Sequence, residues 1–196
     1  MIDRFLNAKH WQVFILIFGI PFLLQMLYMM SMSFSIFMNE DPEVAIFYIS
    51  FLPIIIIVSI VFFFAWFYSI GVGLQKSIPS EFRTNVKRFK LFLFIPAIYI
   101  LSLMVFISYT MTNMAAVAMN SFIFVFIIPL HLFSMFCIFY CLYFVAKTYK
   151  TAELQREVSF GDFVGEFFLF WFYPIGVWFL QPKINEMHLD SDSELV

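Results

Sequence analysis

Three side chains with soft or titratable atoms lie inside one apolar stretch of the sequence, residues 121–146. His131 is the histidine of that stretch, and Cys137 and Cys141 are the two cysteines of the chain. On a helix that advances about 100° per residue, Cys141 falls within roughly 80° of His131. Thiolates and thioethers select Cu(I), and imidazole also binds copper. The pattern therefore raises the hypothesis of soft-metal handling.

Methionines extend this hypothesis to the first apolar stretch. Met26 and Met30 lie four residues apart, which places them on the same face of a helix. Their thioether groups would add soft ligands to the same site. The ordinary explanation is that the flexible Met side chain fills gaps between helices and lipid. The candidate metal ligands are Met26, Met30, His131, Cys137 and Cys141, each with a packing role as the alternative.

His131 also has an ordinary structural interpretation, in which its ring bonds a backbone carbonyl. Pro129 has no N–H, so the carbonyl of Val125 loses its usual helical donor and needs another partner. Titratable residues inside membrane spans are nevertheless candidates for function by default. The sequence leaves both roles open. The predicted polar partners of the ring are Ser134 on the same helix and Gln25 and Ser102 on neighbouring spans.

A basic run lies just before the third apolar stretch. Arg83, Lys87 and Lys90 fall on one face of a helix, where they could bind anionic lipid head groups. The alternative is that the run only fixes the orientation of the chain in the membrane. The candidate head-group ligands are Arg83, Lys87, Arg88 and Lys90.

Residue sets that would carry enzymatic chemistry are missing from the apolar stretches. The four stretches contain no carboxylate, so no Ser-His-Asp or Cys-His-Asp arrangement can be assembled inside them. Asp162 and Glu166 are one helical turn apart, but they lie at the edge of an apolar segment, where polar solvation explains them. Gly71 and Gly73 lack the lysine spacing of a phosphate-binding loop. We expect neither an enzyme nor a cofactor.

The composition indicates that the solvent of this chain is lipid. Of its 196 residues, 63% are hydrophobic and 12% are charged, whereas about a quarter of a soluble domain is charged. A chain with 31 phenylalanines and so few charges cannot cover its surface with polar groups. Each long apolar stretch reaches the roughly 20 residues that a spanning helix needs. The predicted fold is an all-α polytopic helical membrane protein.

Four transmembrane helices are predicted, over residues 11–35, 44–74, 91–112 and 121–146. Except for Lys183, every Lys and Arg lies before the first span, between the second and third, or after the fourth. By the positive-inside rule these segments face the cytoplasm, which makes the N-terminus cytoplasmic.

A further apolar segment covers residues 160–180. Ser159 and Asp162 are suited to begin it as an N-cap and an acidic third residue, a variant of the capping box. A proline and a glycine interrupt its apolar part, which is shorter than a span. A re-entrant or interfacial helix is favoured, with a fifth transmembrane helix as the alternative. Residues 1–185 are predicted to form one membrane domain, and residues 186–196 an acidic disordered tail.

Several segments together resemble an uncharacterised family of small multi-pass membrane proteins of Bacteroidetes-type bacteria. They are HWQVFILIFGIPFL, PLHLFSMFCIFYCLYFVAKT, ELQREVSF and FWFYPIGVWFLQPKIN. The likeness covers most of the chain except the acidic tail. It implies a bacterial cytoplasmic (inner) membrane, and no functional residues carry over from it.

Two functions from different classes are compatible with the sequence. The first is a non-enzymatic integral membrane protein that acts through partner membrane proteins or self-association. The alternative is a small transporter or channel, or a Cu(I)-handling protein that uses the methionines with His131, Cys137 and Cys141. The other expected partners are the lipid bilayer and its anionic head groups, and no nucleic acid is expected.

Overall fold

The computed structural model of the protein describes residues 2–38, 42–112 and 122–193, and every regular element within these ranges is helical. Four helices are long and apolar enough to cross a membrane. The prediction of an all-α polytopic fold with four transmembrane-length helices is therefore confirmed. The four candidate spans are His10–Ser35, Pro53–Ser77, Val86–Thr110 and Val125–Leu154.

Five α-helices lie in the described residues from Ile2 to Thr112. α1 (Ile2–Leu6) precedes a continuous rod made of α2 (His10–Phe14), a π-helical turn (Ile15–Gly19) and α3 (Ile20–Phe37). α4 (Pro42–Gly73) and α5 (Val86–Thr112) are joined by a segment with two 3₁₀ turns, Leu74–Ser77 and Ser80–Phe82.

The second half begins with α6 (Phe122–Leu154), which continues past the predicted span at residue 146. The good helix formers Ala152, Glu153 and Leu154 account for this extension. α7 (Phe160–Trp171) and α8 (Tyr173–Ser193) complete the described chain. We call the end of the bundle that holds α1, the 3₁₀ turns and the C-terminal end of α6 the basic end.

The helices form a closed ring near the basic end. Along the chain α3 packs on α4, α4 on α5, α5 on α6, and α6 on α7. α8 packs on α7 and then on α1, α2 and the first 3₁₀ turn, so it joins the end of the chain to its beginning. Most of the buried apolar side chains lie in this part, including Trp66, Phe89, Tyr149 and Phe170.

α7 and α8 form a tight hairpin. They are joined at Phe172, and Gly176 lies so close to α7 that a Cβ there would be 1.8 Å from the carbonyl oxygen of Leu169. Both ends of the hairpin lie at the basic end, since Glu166 bonds Lys150 of α6 and Ser77 bonds the carbonyl of Met187. The segment predicted as one re-entrant or interfacial helix, or as a fifth span, is thus two helices that start and finish at the same end of the bundle.

The tip of the hairpin lies about halfway along the long helices. Trp171 packs on Phe139 of α6, with ring centroids 4.7 Å apart, and Tyr173 packs on Phe63 of α4 at 5.0 Å. Phe139 lies 11 residues from Lys150, or about 16 Å along a helix. A hydrocarbon core is about 30 Å thick, so the hairpin has half the height of a span.

The acidic tail differs from its prediction. Disorder was expected from residue 186, but α8 continues to Ser193. The reason is that Ile184 and His188, four residues apart on one face of α8, are both buried against the basic end. Residues 194–196 lie outside the described residues.

Candidate functional site

His131 of α6 bonds a tyrosine that sequence reasoning did not name. Its Nδ1 lies 3.2 Å from the hydroxyl oxygen of Tyr99 on α5, and the ring centroids are 5.8 Å apart. The predicted partners Ser134, Gln25 and Ser102 do not take this position. Ser134 points into the buried face of α6, whereas the longer tyrosine side chain reaches His131 from the neighbouring helix. Tyr99 lies within the third apolar stretch, so its hydroxyl could have been considered as a partner for His131 from the sequence.

The imidazole of His131 is exposed on the surface of the bundle. Its second nitrogen, Nε2, has no hydrogen-bond partner among the residues that the structure describes. The Tyr99 hydroxyl can donate to Nδ1 or accept from it, so Nε2 can be either an acceptor or a donor. A polar atom that faces hydrocarbon is costly unless it is bonded, so this position favours a partner from outside the described chain.

His131 lies in the half of α6 that is farther from the basic end. We call residues 125–136 the distal half of α6. Phe139 and Tyr143 of α6 are covered by α7, through Trp171 and Phe163. The positions that continue from Phe139 at intervals of three or four residues, within about 100° of His131, lie beyond the hairpin tip and are exposed. Ile128, Leu132 and Met135 are 58%, 64% and 39% exposed. The half-height hairpin thus leaves room for another helix beside the distal half of α6.

The structure places the five candidate metal ligands in different surroundings. Met26 and Met30 are exposed on α3, which packs mainly on α4. Cys137 and Cys141 are buried on the inner face of α6, while His131 is exposed. Among the described residues, no three His, Cys, Asp or Glu side chains come together in a group suited to hold a metal ion.

The buried side chain of Gln181 makes three hydrogen bonds at the basic end. Its side chain is fully buried, and its amide oxygen accepts a hydrogen bond from Trp66 Nε1 at 2.9 Å. Its amide nitrogen donates to the carbonyl oxygens of Phe5 and Ala8, at 2.8 and 3.0 Å. One helical turn further, Asn185 donates to the carbonyls of Leu6 and Ala8. These bonds hold the turn between α1 and α2 against α8.

Charged residues tie the hairpin to α6. Lys150 lies 2.7 Å from Glu153 and 2.8 Å from Glu166 of α7, and Lys183 of α8 lies 2.5 Å from the other oxygen of Glu153. Each carboxylate is therefore neutralised by a lysine. Glu166 and Asp162, one helical turn apart, bind separate partners: Glu166 is bound to Lys150, and Asp162 to Ser159 and Arg156.

Asp162 instead caps α7. The predicted capping box with Ser159 is confirmed: the Asp162 carboxylate accepts from the backbone N–H and the hydroxyl of Ser159, both at 2.8 Å. Arg156 Nη2 also donates to it, at 2.9 Å. These three hydrogen bonds, with that from the Ser159 backbone the largest effect, lower the pKa of Asp162 to about 2. The residue is a fixed anion that positions the hairpin.

The four candidate head-group ligands differ in whether other groups of the protein already bind their charged ends. Arg83 donates to the carbonyl oxygens of Ile78 and Lys76, which anchors its guanidinium to the loop. Lys90 lies over the ring of Tyr68, with Nζ 5.5 Å from the ring centroid. Lys87 and Arg88 are exposed.

Comparisons with known protein families, with curated proteins and with solved structures gave no match to this chain.

Proposed function

We propose that this chain is a non-enzymatic integral protein of a bacterial cytoplasmic membrane, with its N-terminus in the cytoplasm, that acts by association with other membrane-embedded helices. The occupant we propose for the distal half of α6 is a second copy of the chain. The resemblance of its segments to a family of bacterial multi-pass proteins supports the location, and the placement of the basic residues supports the orientation.

The observation that carries the proposal is the exposed imidazole of His131. Titratable side chains within membrane spans face a protein partner or a water-filled cavity far more often than lipid. Since Nδ1 is bonded to Tyr99, only Nε2 is available to a partner. Two neutral imidazoles can satisfy each other, because the tyrosine lets Nε2 donate in one copy and accept in the other. A site of this kind is self-complementary.

The exposed apolar stripe of the distal half supports the same conclusion. Helices associate in lipid through close packing and hydrogen bonds rather than through a hydrophobic driving force. The hairpin contacts this stripe only as far as Phe139, so a second helix can pack on Met135, Leu132 and Ile128 beside His131.

Fluorescence energy transfer between two labelled populations in liposomes tests the proposal, at a series of protein-to-lipid ratios. His131→Leu should weaken the dimer roughly threefold to twentyfold, the range for one hydrogen bond between membrane helices. His131→Gln keeps a donor and an acceptor and should weaken it less. Ser31→Ala is the matched control, because the Ser31 hydroxyl bonds within its own helix to the carbonyl of Leu27. A protein that is monomeric at every ratio, or a dimer that His131→Leu does not change, would contradict the proposal.

A further inference from the structure

An apolar groove runs between α4 and α5 on the surface of the bundle, away from the distal half of α6. Its volume is about 440 Å³, within the roughly 300–1,000 Å³ of known ligand sites. Two small residues, Ala65 and Ala97, lie among its walls. Val61 and Phe94, also in the walls, are 51% and 56% exposed, so the groove is open on its outer side.

The groove, together with Lys90 one turn before it, is about as long as one leaflet of a bilayer is thick. Its α5 wall extends from Leu93 to Leu101, and Lys90 lies one turn before it. From Lys90 to Leu101 a helix rises about 16 Å, and half of a 30 Å hydrocarbon core is about 15 Å. An acyl chain of that leaflet can lie along the whole groove.

Positive charge lies at one end of the groove. Tyr68 forms the wall there, and Lys90 Nζ is 5.5 Å from the centroid of its ring. Lys87 precedes Lys90 by three residues on the same face of α5, whereas Arg88 falls about 160° away from Lys90. Residues 74–90 carry one carboxylate, Glu81, against five basic side chains. The charge at this end is complementary to a phosphate.

We propose that the groove between α4 and α5 binds one anionic phospholipid, with an acyl chain along Phe94, Ala97 and Leu101 and the phosphate at Lys90 and Lys87. The site uses residues other than the distal half of α6, so it does not rest on the proposed self-association. The proposal goes beyond a general attraction of anionic lipids to the basic end, because it assigns the phosphate and one acyl chain of a single lipid to named residues.

Native mass spectrometry of the purified protein, titrated with phosphatidylglycerol or with phosphatidylethanolamine of the same chain length, tests this site. We expect one phosphatidylglycerol to bind more tightly than the rest, and phosphatidylethanolamine to bind more weakly. A lysine near the surface contributes about a fivefold preference for anionic lipid, so Lys87→Gln and Lys90→Gln should each weaken binding about fivefold. Arg88→Gln removes the same charge from the other face of α5 and should change little.

The groove itself is tested with Ala97→Phe, which fills it. This variant should lose the tightly bound lipid, whereas Ile98→Phe, at a neighbouring position 61% exposed outside the groove walls, should keep it. Circular dichroism of each variant checks that the helices are intact. Equal affinity for the two lipids, an effect of Arg88→Gln as large as that of Lys90→Gln, or unchanged binding in Ala97→Phe would each overturn the proposal.

Discussion

Gln181 shows how much one buried side chain can contribute to the closure of the helix ring. Its amide satisfies the indole of Trp66 and two carbonyls of the turn between α1 and α2. Removing a partner and leaving such groups buried costs about 1–3 kcal/mol. The Trp66 indole therefore depends on one residue of α8. The carbonyls of Phe5 and Ala8 each keep a second donor when that residue is removed.

At this scale we predict that Gln181→Met lowers the free energy of unfolding by about 1–3 kcal/mol, because it keeps the volume but leaves the buried indole N–H of Trp66 without an acceptor. It also removes one of two donors from each of the carbonyls of Phe5 and Ala8. Chemical denaturation in micelles measures the change. Trp66→Phe, alone and combined with Gln181→Met, completes a double-mutant cycle, and a coupling of about 1 kcal/mol is expected for the bond between them. Additive effects of the two substitutions would show that the bond contributes nothing.

Local sequence patterns single out His131 but not Gln181, because they show only how a residue differs from its neighbours in the chain. A histidine inside a long apolar stretch stands out, since little else there is polar. Gln181 follows an apolar run directly and looks like its polar boundary. Only the return of α8 to α1 and α2 makes the position buried. That return depends on contacts between residues far apart in the chain, which a local pattern does not contain.

At the scale of elements, the α7–α8 hairpin contains one glycine that its packing requires and one that it does not. Gly176 has the backbone of Leu169 against it, whereas Gly165, on the same hairpin, has no atom within 4 Å of where a Cβ would be. The first glycine is required by close packing between the two helices. The second only lowers the stability of α7, because glycine favours helix less than alanine does.

We therefore predict that Gly176→Ala destabilises the protein by at least about 2–3 kcal/mol, since the clash is with backbone and no side chain can move away. Gly165→Ala should be neutral or stabilise by up to about 1 kcal/mol. Thermal unfolding in detergent, followed by circular dichroism, compares the two. If the two variants melt at the same temperature, the tight turn of the hairpin is not needed for stability.

The long helices were predictable to within a few residues except at the start of the third and the end of the fourth, because uninterrupted apolar stretches fix their number and approximate length. α5 begins at Val86, inside the basic run, because Asn85 caps it by accepting from the N–H of Lys87. The hairpin was predictable as a short apolar segment with a capped start, but its path was not. Its two helices are amphipathic or mixed, and only packing on α6 and α2 decides between a span and a return.

For the whole molecule, the basic end should face the cytoplasm, and both ends of the hairpin should lie on that side. Single cysteines at Met38, Ser80 and Leu189, in a background with Cys137→Ala and Cys141→Ala, test this in intact cells. All three positions are exposed. An impermeant thiol reagent should label only the position 38 variant until the cells are permeabilised. Labelling at position 189 without permeabilisation would make the C-terminal segment a fifth span, and the reverse pattern at 38 and 80 would invert the orientation.

The contact of Gln181 with Phe5 also sets an order for the assembly of the molecule. The two residues are 176 positions apart, so the bond closes a loop that contains all four long helices. A ribosome makes residue 5 long before residue 181, and the turn after α1 has its amide partners only when α8 has been synthesised. Contacts of such high sequence separation form late and slow the folding of a chain. The carbonyls of that turn therefore lack the amide donors of Gln181 and Asn185 until α8 has been made, and the ring of helices closes last at this point.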